Sequence, residues 1–165
     1  MTGGSPLENA TPVTDALEAA NIPYRFFRHP GQVTSLEQAA RERDQVPEQV
    51  IRTIVFRLAR DEFVMVLVAG PAQVSWPALR TYLGKSRLTM ADQSEILVTT
   101  GYPTGAVSPL GLPHPMRTLV DRSVLQDGEI SIGSGVRHTT VILRGPDLTT
   151  ALGQVEIGDF VQQDG

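Results

Sequence analysis

The chain has 165 residues, no cysteine, 41% hydrophobic residues and a formal net charge of −4. That is the length of one ordinary domain with enough apolar residues for a core. It excludes disulfides, thiolate metal sites and a cysteine nucleophile, and it argues against a nucleic-acid binder with a uniformly basic surface.

Residues 1–10 read as a flexible tail without the basic and apolar regions of a signal peptide. No run approaches the length of a membrane span, so a cytoplasmic protein without membrane contact is the expectation. Residues 11–165 then form one domain. Thr11-Pro12 opens a helix, with Thr at the cap and Pro in the first turn. Val13, Ala16, Leu17 and Ala20 follow at helical spacing, and Asn21 and Pro23 end it. Residues 24–27 read as a short strand, and His29-Pro30-Gly31 as a turn. A second helix starts at Ser35, where Gln38 completes a capping box. Arg41, Glu42, Arg43 and Asp44 read as its solvated side, and Pro47 breaks it. Residues 51–58 and 63–69 are rich in β-branched and aromatic residues and suit a hairpin turning through residues 59–62. Ser75 caps a third helix that Gly84 ends, with Trp76 at a core or rim position. Asp92 and Glu95 cap a fourth helix that Gly101 terminates. Strands are expected at 116–120, 129–132 and 139–143, and a last helix at 146–152. The strands come in neighbouring pairs without regular β-α alternation, which predicts an α+β fold with a mixed sheet and flanking helices.

Between the fourth helix and the strand at 116 lies the most informative stretch. Residues 101–111 hold three glycines and two prolines with no charge. Such a run is neither a helix interior nor a central strand. It predicts a rigid loop whose spare backbone N–H groups can hold an oxyanion, a phosphate or a carbonyl.

Other chemistries find little support. His29, His114 and His138 lack metal-ligand spacing, so neither a metal nor another cofactor is expected. Gly133-Ser134-Gly135 is not a nucleophile elbow, because its glycines flank the serine directly, and it is not a dinucleotide fingerprint. His138 reads as a surface-loop histidine. The cations are thirteen arginines and one lysine, Lys85. Arginine suits bidentate phosphate contacts, so an RNA contact is expected to be local or shared with a partner protein.

Gly101-Tyr102 followed by Gly105-Ala106-Val107-Ser108-Pro109 resembles the signature loop of the YbaK-like aminoacyl-tRNA deacylases, relatives of the editing domain of bacterial prolyl-tRNA synthetase. The resemblance runs through Arg52-Thr53-Ile54-Val55-Phe56, where the family has a lysine at the position of Arg52. It continues in Gly133-Ser134-Gly135-Val136-Arg137-His138, where Gly133 and His138 replace a serine and a glycine. The resemblance implies a curled, barrel-like sheet and a deacylase without a side-chain nucleophile. In such an enzyme, loop amides hold the aminoacyl ester while a ribose hydroxyl of the terminal adenosine positions a water. It implies catalytic roles for Arg52, Gly105, Ser108 and Pro109. It also implies substrate contacts from Thr53, Gly101, Tyr102, Ala106, Val107, Gly133, Ser134 and Gly135. The implied partner is the acceptor end of an aminoacyl-tRNA carrying a small amino acid such as alanine, cysteine or serine, with no role for DNA. The alternative implied is a non-catalytic module that binds tRNA ends or an aminoacyl-tRNA synthetase.

Overall fold

The computed structural model describes residues 10–163. The tail expected over residues 1–10 lies outside the described residues except for Ala10. In chain order the elements are α1 (Pro12–Ala19), β1 (Arg25–Arg28), α2 (Leu36–Glu42), β2 (Ile51–Ala59) and β3 (Glu62–Ala69). They continue with α3 (Trp76–Leu83), β4 (Thr89–Met90), α4 (Gln93–Thr100), β5 (Thr118–Asp121) and β6 (Glu129–Gly133). The last are β7 (Thr139–Arg144), α5 (Gly145–Leu152) and β8 (Glu156–Gly158). Short 3₁₀ turns occupy Pro47–Gln49 and Arg122–Val124.

The N-caps read from the sequence are made, although the Gln38 side chain accepts from Thr34 N–H and so does not close the capping box expected at Ser35. Thr11, Ser35, Ser75 and Asp92 each accept a backbone N–H in the first turn of their helices. Gly84 and Gly101 end α3 and α4 in the left-handed region, at φ +68° and +80°. Each cap satisfies a backbone group that a helix end would otherwise leave unpaired.

The fold is α+β. A five-stranded mixed sheet runs β4-β2-β3-β5-β8, antiparallel as far as β3 and parallel beyond it. A three-stranded antiparallel sheet runs β1-β7-β6. The two meet at a single parallel bridge, Val50 to Ser131, so the curled sheet takes the form of two sheets leaning together and is not closed into a barrel. β3 is the central strand. Its Met65, Leu67 and Ala69 face a core shared with α1, β6 and β7, and its Val64, Val66 and Val68 face a second core under α3, with Leu79, Leu119 and Phe160. Trp76 packs at the margin of this second core, with its ring edge-to-face on Phe56 at 5.2 Å.

Four details differ from the sequence reading. The hairpin turn is tighter than residues 59–62: only Arg60 and Asp61 stand between β2 and β3, with Asp61 at φ +59°. The strand expected at 116 begins at Thr118. β4 and β8 were not anticipated, being two and three residues long and too short to carry a periodic pattern. Finally, Arg43 does not lie on the solvated side of α2: it is the helix's C-cap and only 7% exposed. No helix among the described residues is long and apolar enough to cross a membrane.

Candidate functional site

Beyond the Val50–Ser131 bridge, β2 has no strand neighbour on its outer side until β4 joins it at Phe56 and Arg57. A cleft of about 580 Å³ opens in this gap. One wall is β2, from Ile51 to Val55. The opposite wall is Ser131, Ile132 and Gly133 of β6 together with residues 137–140. Ala39 and Arg43 close one end, and Thr104, Gly105 and Val107 close the other.

The glycine-rich loop is held by its own tyrosine. Tyr102 is 2% exposed, and its hydroxyl donates to Leu110 O at 2.6 Å. Burial pushes its phenol up to about 12, so it stays a neutral donor. The loop leans on the 133–138 loop through contacts that only glycines allow. A Cβ on Gly133 would stand 2.0 Å from Val107 O, and one on Gly135 would stand 2.8 Å from the Tyr102 ring. Gly135 N–H donates to Ala106 O at 3.0 Å, and Arg137 Nε donates to Thr104 O at 2.9 Å.

This packing sorts the expected contact residues. Gly105 and Val107 line the cleft, and their N–H groups have no acceptor among the described residues. The Ala106 amide is committed to Pro103 O, and Pro109 has no N–H to offer. Ser108 is fully buried, and its Oγ accepts from Leu110 N–H. Gly101 and Tyr102 build the loop from behind. Ser134 is fully buried, with its hydroxyl paired to Thr139 Oγ1 and to the backbone of Val136. Gly133 lines the cleft, whereas Gly135 is behind it, under Tyr102. His138, where the resemblance led us to expect glycine, adopts φ +67° at the exposed mouth of the cleft. Its backbone keeps the left-handed conformation that glycine adopts without strain.

Arg52 and Thr53 part company because successive strand residues face opposite ways. Thr53 sits opposite Leu67 on the first core's side, and Arg52 opposite Val68 on the second's. The Arg52 guanidinium donates to Gly70 O at 2.8 Å through Nε and to Ala72 O through Nη2. The charge to which the resemblance gave a catalytic role clamps the turn after β3. Half-burial also lowers its pKa through desolvation. We therefore expect Arg52→Ala to lose stability, since two carbonyls are left unpaired. The cost should be about 1.5–3 kcal/mol, with any turnover in the cleft changed little. Thermal unfolding and rate, measured side by side, check this. A variant that keeps its melting temperature and loses its rate would return Arg52 to the cleft.

Thr53 Oγ1 is buried with no partner, as is Thr104 Oγ1 across the cleft. Sequence reasoning missed Thr104, along with a buried polar chain at the α2 end. Glu42 Oε1 lies 2.6 Å from His29 Nδ1, and His29 Nε2 lies 2.9 Å from Arg43 Nη1. Arginine can only donate, so Nε2 accepts and the ring proton sits on Nδ1, facing the carboxylate. Gln38 and then His29 hold the Glu42 carboxyl below its usual range by hydrogen bonding.

The family model for the aminoacyl-tRNA editing domain matches residues 29–151. The chain belongs to this family. The match spans the cleft from His29 through the 133–138 loop, so every wall described above lies within the editing domain. Among curated proteins, the editing domain is 37% identical over 79 residues to a proline–tRNA ligase of Thermosipho africanus, covering 48% of this chain and 14% of the ligase. It is 32% identical over 117 residues to that of Desulforamulus reducens, covering 71% of this chain and 20% of the ligase. The chain thus spans a fifth or less of these two relatives. Among solved structures it resembles a candidate trans-editing enzyme for prolyl tRNA synthetase, with a TM-score of 0.82 and 21% identity. That match covers 98% of this chain and all of the other. The hypothetical protein APE2540 is similar at a TM-score of 0.81 and 21% identity, covering 92% of this chain and all of the other.

Proposed function

We propose that this editing domain is a trans-editing hydrolase that deacylates mischarged aminoacyl-tRNA carrying a small amino acid. The observation that carries the reading is the pair of unpartnered amides, Gly105 and Val107, in the wall of the cleft. Amides without an internal acceptor, fixed by a rigid loop, suit an ester carbonyl and the oxyanion it becomes. A water held by the substrate's own ribose hydroxyl attacks the carbonyl carbon. The acyl–oxygen bond breaks, and amino acid and tRNA hydroxyl are released. The cleft volume fits a terminal nucleoside with a small acyl group, and larger side chains are excluded by size.

Purified protein is expected to hydrolyse at least one tRNA charged with alanine, serine or cysteine faster than the buffer blank, in chelator and without added metal. One observation favours the other reading, a non-catalytic module for tRNA ends: the Arg52 charge is committed to Gly70 and Ala72 carbonyls. Intact tRNA binding with no turnover across a full panel of mischarged tRNAs would establish that reading instead.

A further inference from the structure

The cleft walls hold arginines and no carboxylate in an acidic chain. Arg43, Arg52 and Arg137 line it and, among the described residues, no aspartate or glutamate does. The whole chain carries 18 acidic residues against 14 basic ones. The three arginines are not equivalent. Arg52 clamps two carbonyls on the other side of its sheet, and Arg137 is an exposed strut on Thr104 O. Arg43 is buried in the wall, and its three hydrogen bonds go to neutral acceptors: Gln45 Oε1 at 3.2 Å, His29 Nε2 at 2.9 Å and Ser131 Oγ at 2.9 Å.

We propose that Arg43 is the anion-binding residue of the cleft, and that it takes the phosphate of the terminal nucleotide at a tRNA acceptor end. The identity of that ligand rests on the proposed function. A buried guanidinium without a carboxylate partner carries a desolvation cost that neutral acceptors offset only in part. Desolvation accordingly lowers its pKa to about 10, which leaves it charged at neutral pH. Glu42 is hydrogen-bonded to His29 and acts on Arg43 through its charge, without an ion pair between the two. Five guanidinium N–H groups minus these three bonds leave donors for a ligand, in the planar fork that matches phosphate. The β2 wall of the cleft also holds a surplus donor, Thr53 Oγ1, which is buried without a partner. An acceptor-rich anion suits such a wall. The Glu42–His29 pair positions the guanidinium through His29 Nε2.

Binding of adenosine 5′-monophosphate, adenosine and inorganic phosphate to the full chain tests this by calorimetry. Wild type is expected to bind the nucleotide about 10- to 100-fold more tightly than adenosine. In Arg43→Gln that preference should vanish while adenosine affinity stays. Arg43→Lys should retain part of it. A merely structural Arg43 would weaken both ligands alike and leave the ratio intact, which overturns the proposal. So does a wild type indifferent to the phosphate, a comparison that needs no variant to fold. Inorganic phosphate binding as tightly as the nucleotide would mark a free-anion site and also overturn it. Phosphate-dependent nucleotide binding without deacylation sinks the hydrolase reading and leaves this one standing. Deacylation with no phosphate preference does the reverse.

Discussion

Gly133→Ala is expected to dismantle the cleft. The added Cβ would stand 2.0 Å from Val107 O and 3.1 Å from Ala106 O, and both neighbours are backbone atoms with no rotamer to give way. The 105–109 loop must then lift from the 133–138 loop. Lifting it breaks the Gly135 N–H to Ala106 O bond and disturbs the Arg137 hold on Thr104 O. Overpacking typically costs 1–3 kcal/mol, and a backbone clash belongs at about the upper end or beyond. For a domain this size that lowers Tm by roughly 6–12 °C. Deacylation should fall by about 100-fold or more even well below the new Tm, because the loop amides no longer face their ligand. Thermal unfolding and rate at low temperature read the two effects separately. A variant with wild-type Tm would mean that the two loops do not touch as described.

Gly105→Val should also abolish the proposed deacylation, by a different route. Gly105 stands at φ +92°, which a β-branched residue resists, yet its Cβ direction is open, with Arg137 Nε nearest at 3.9 Å. The stability cost is therefore mainly backbone strain, about 1–2 kcal/mol. The new side chain enters the space where an ester must approach the Gly105 and Val107 amides. Losing one such donor typically costs about 10²–10³ in kcat. Ser108→Ala supplies the contrast. Its hydroxyl is buried and accepts one 3.3 Å bond from Leu110 N–H, so most of the activity should remain. Near-wild-type kcat in Gly105→Val, or a dead Ser108→Ala that still folds, would place the chemistry on other atoms.

Local signals carried most of the fold. Thr11, Ser35, Ser75, Asp92, Gly84 and Gly101 all act where their chemistry puts them, because caps are decided within one turn. What failed needed knowledge of faces. Residues 51–56 are apolar at both parities, since Ile51 and Val55 enter one core and Ile54 and Phe56 pack on the other. The period of two therefore could not say which way Arg52 points. Arg43 failed for a related reason. It falls in a run of four charges, and its side chain turns inward to meet Ser131, far along the chain. The partners His29 and Ser131 come from other elements, so no local pattern announces the cluster. Among the cleft residues, Gly105, Val107, Thr53 and Gly133 were legible through the motif, whereas Thr104 was passed over because its orphaned hydroxyl is visible only once the loop is folded.

The three-stranded sheet joins β1 to β7 by pairing Arg25 with Ile142, and β6 enters that sheet only through β7. Pairings between such distant parts of a chain form late and slowly. A ribosome-bound chain that has emerged only as far as β5 already contains the β2–β3 hairpin and the glycine-rich loop. It still lacks the Gly133 and Gly135 seat on which that loop rests and the Ser131 hydroxyl that Arg43 meets. Competence to act on a substrate therefore waits for β6 and the 133–138 loop, which complete the walls of the cleft.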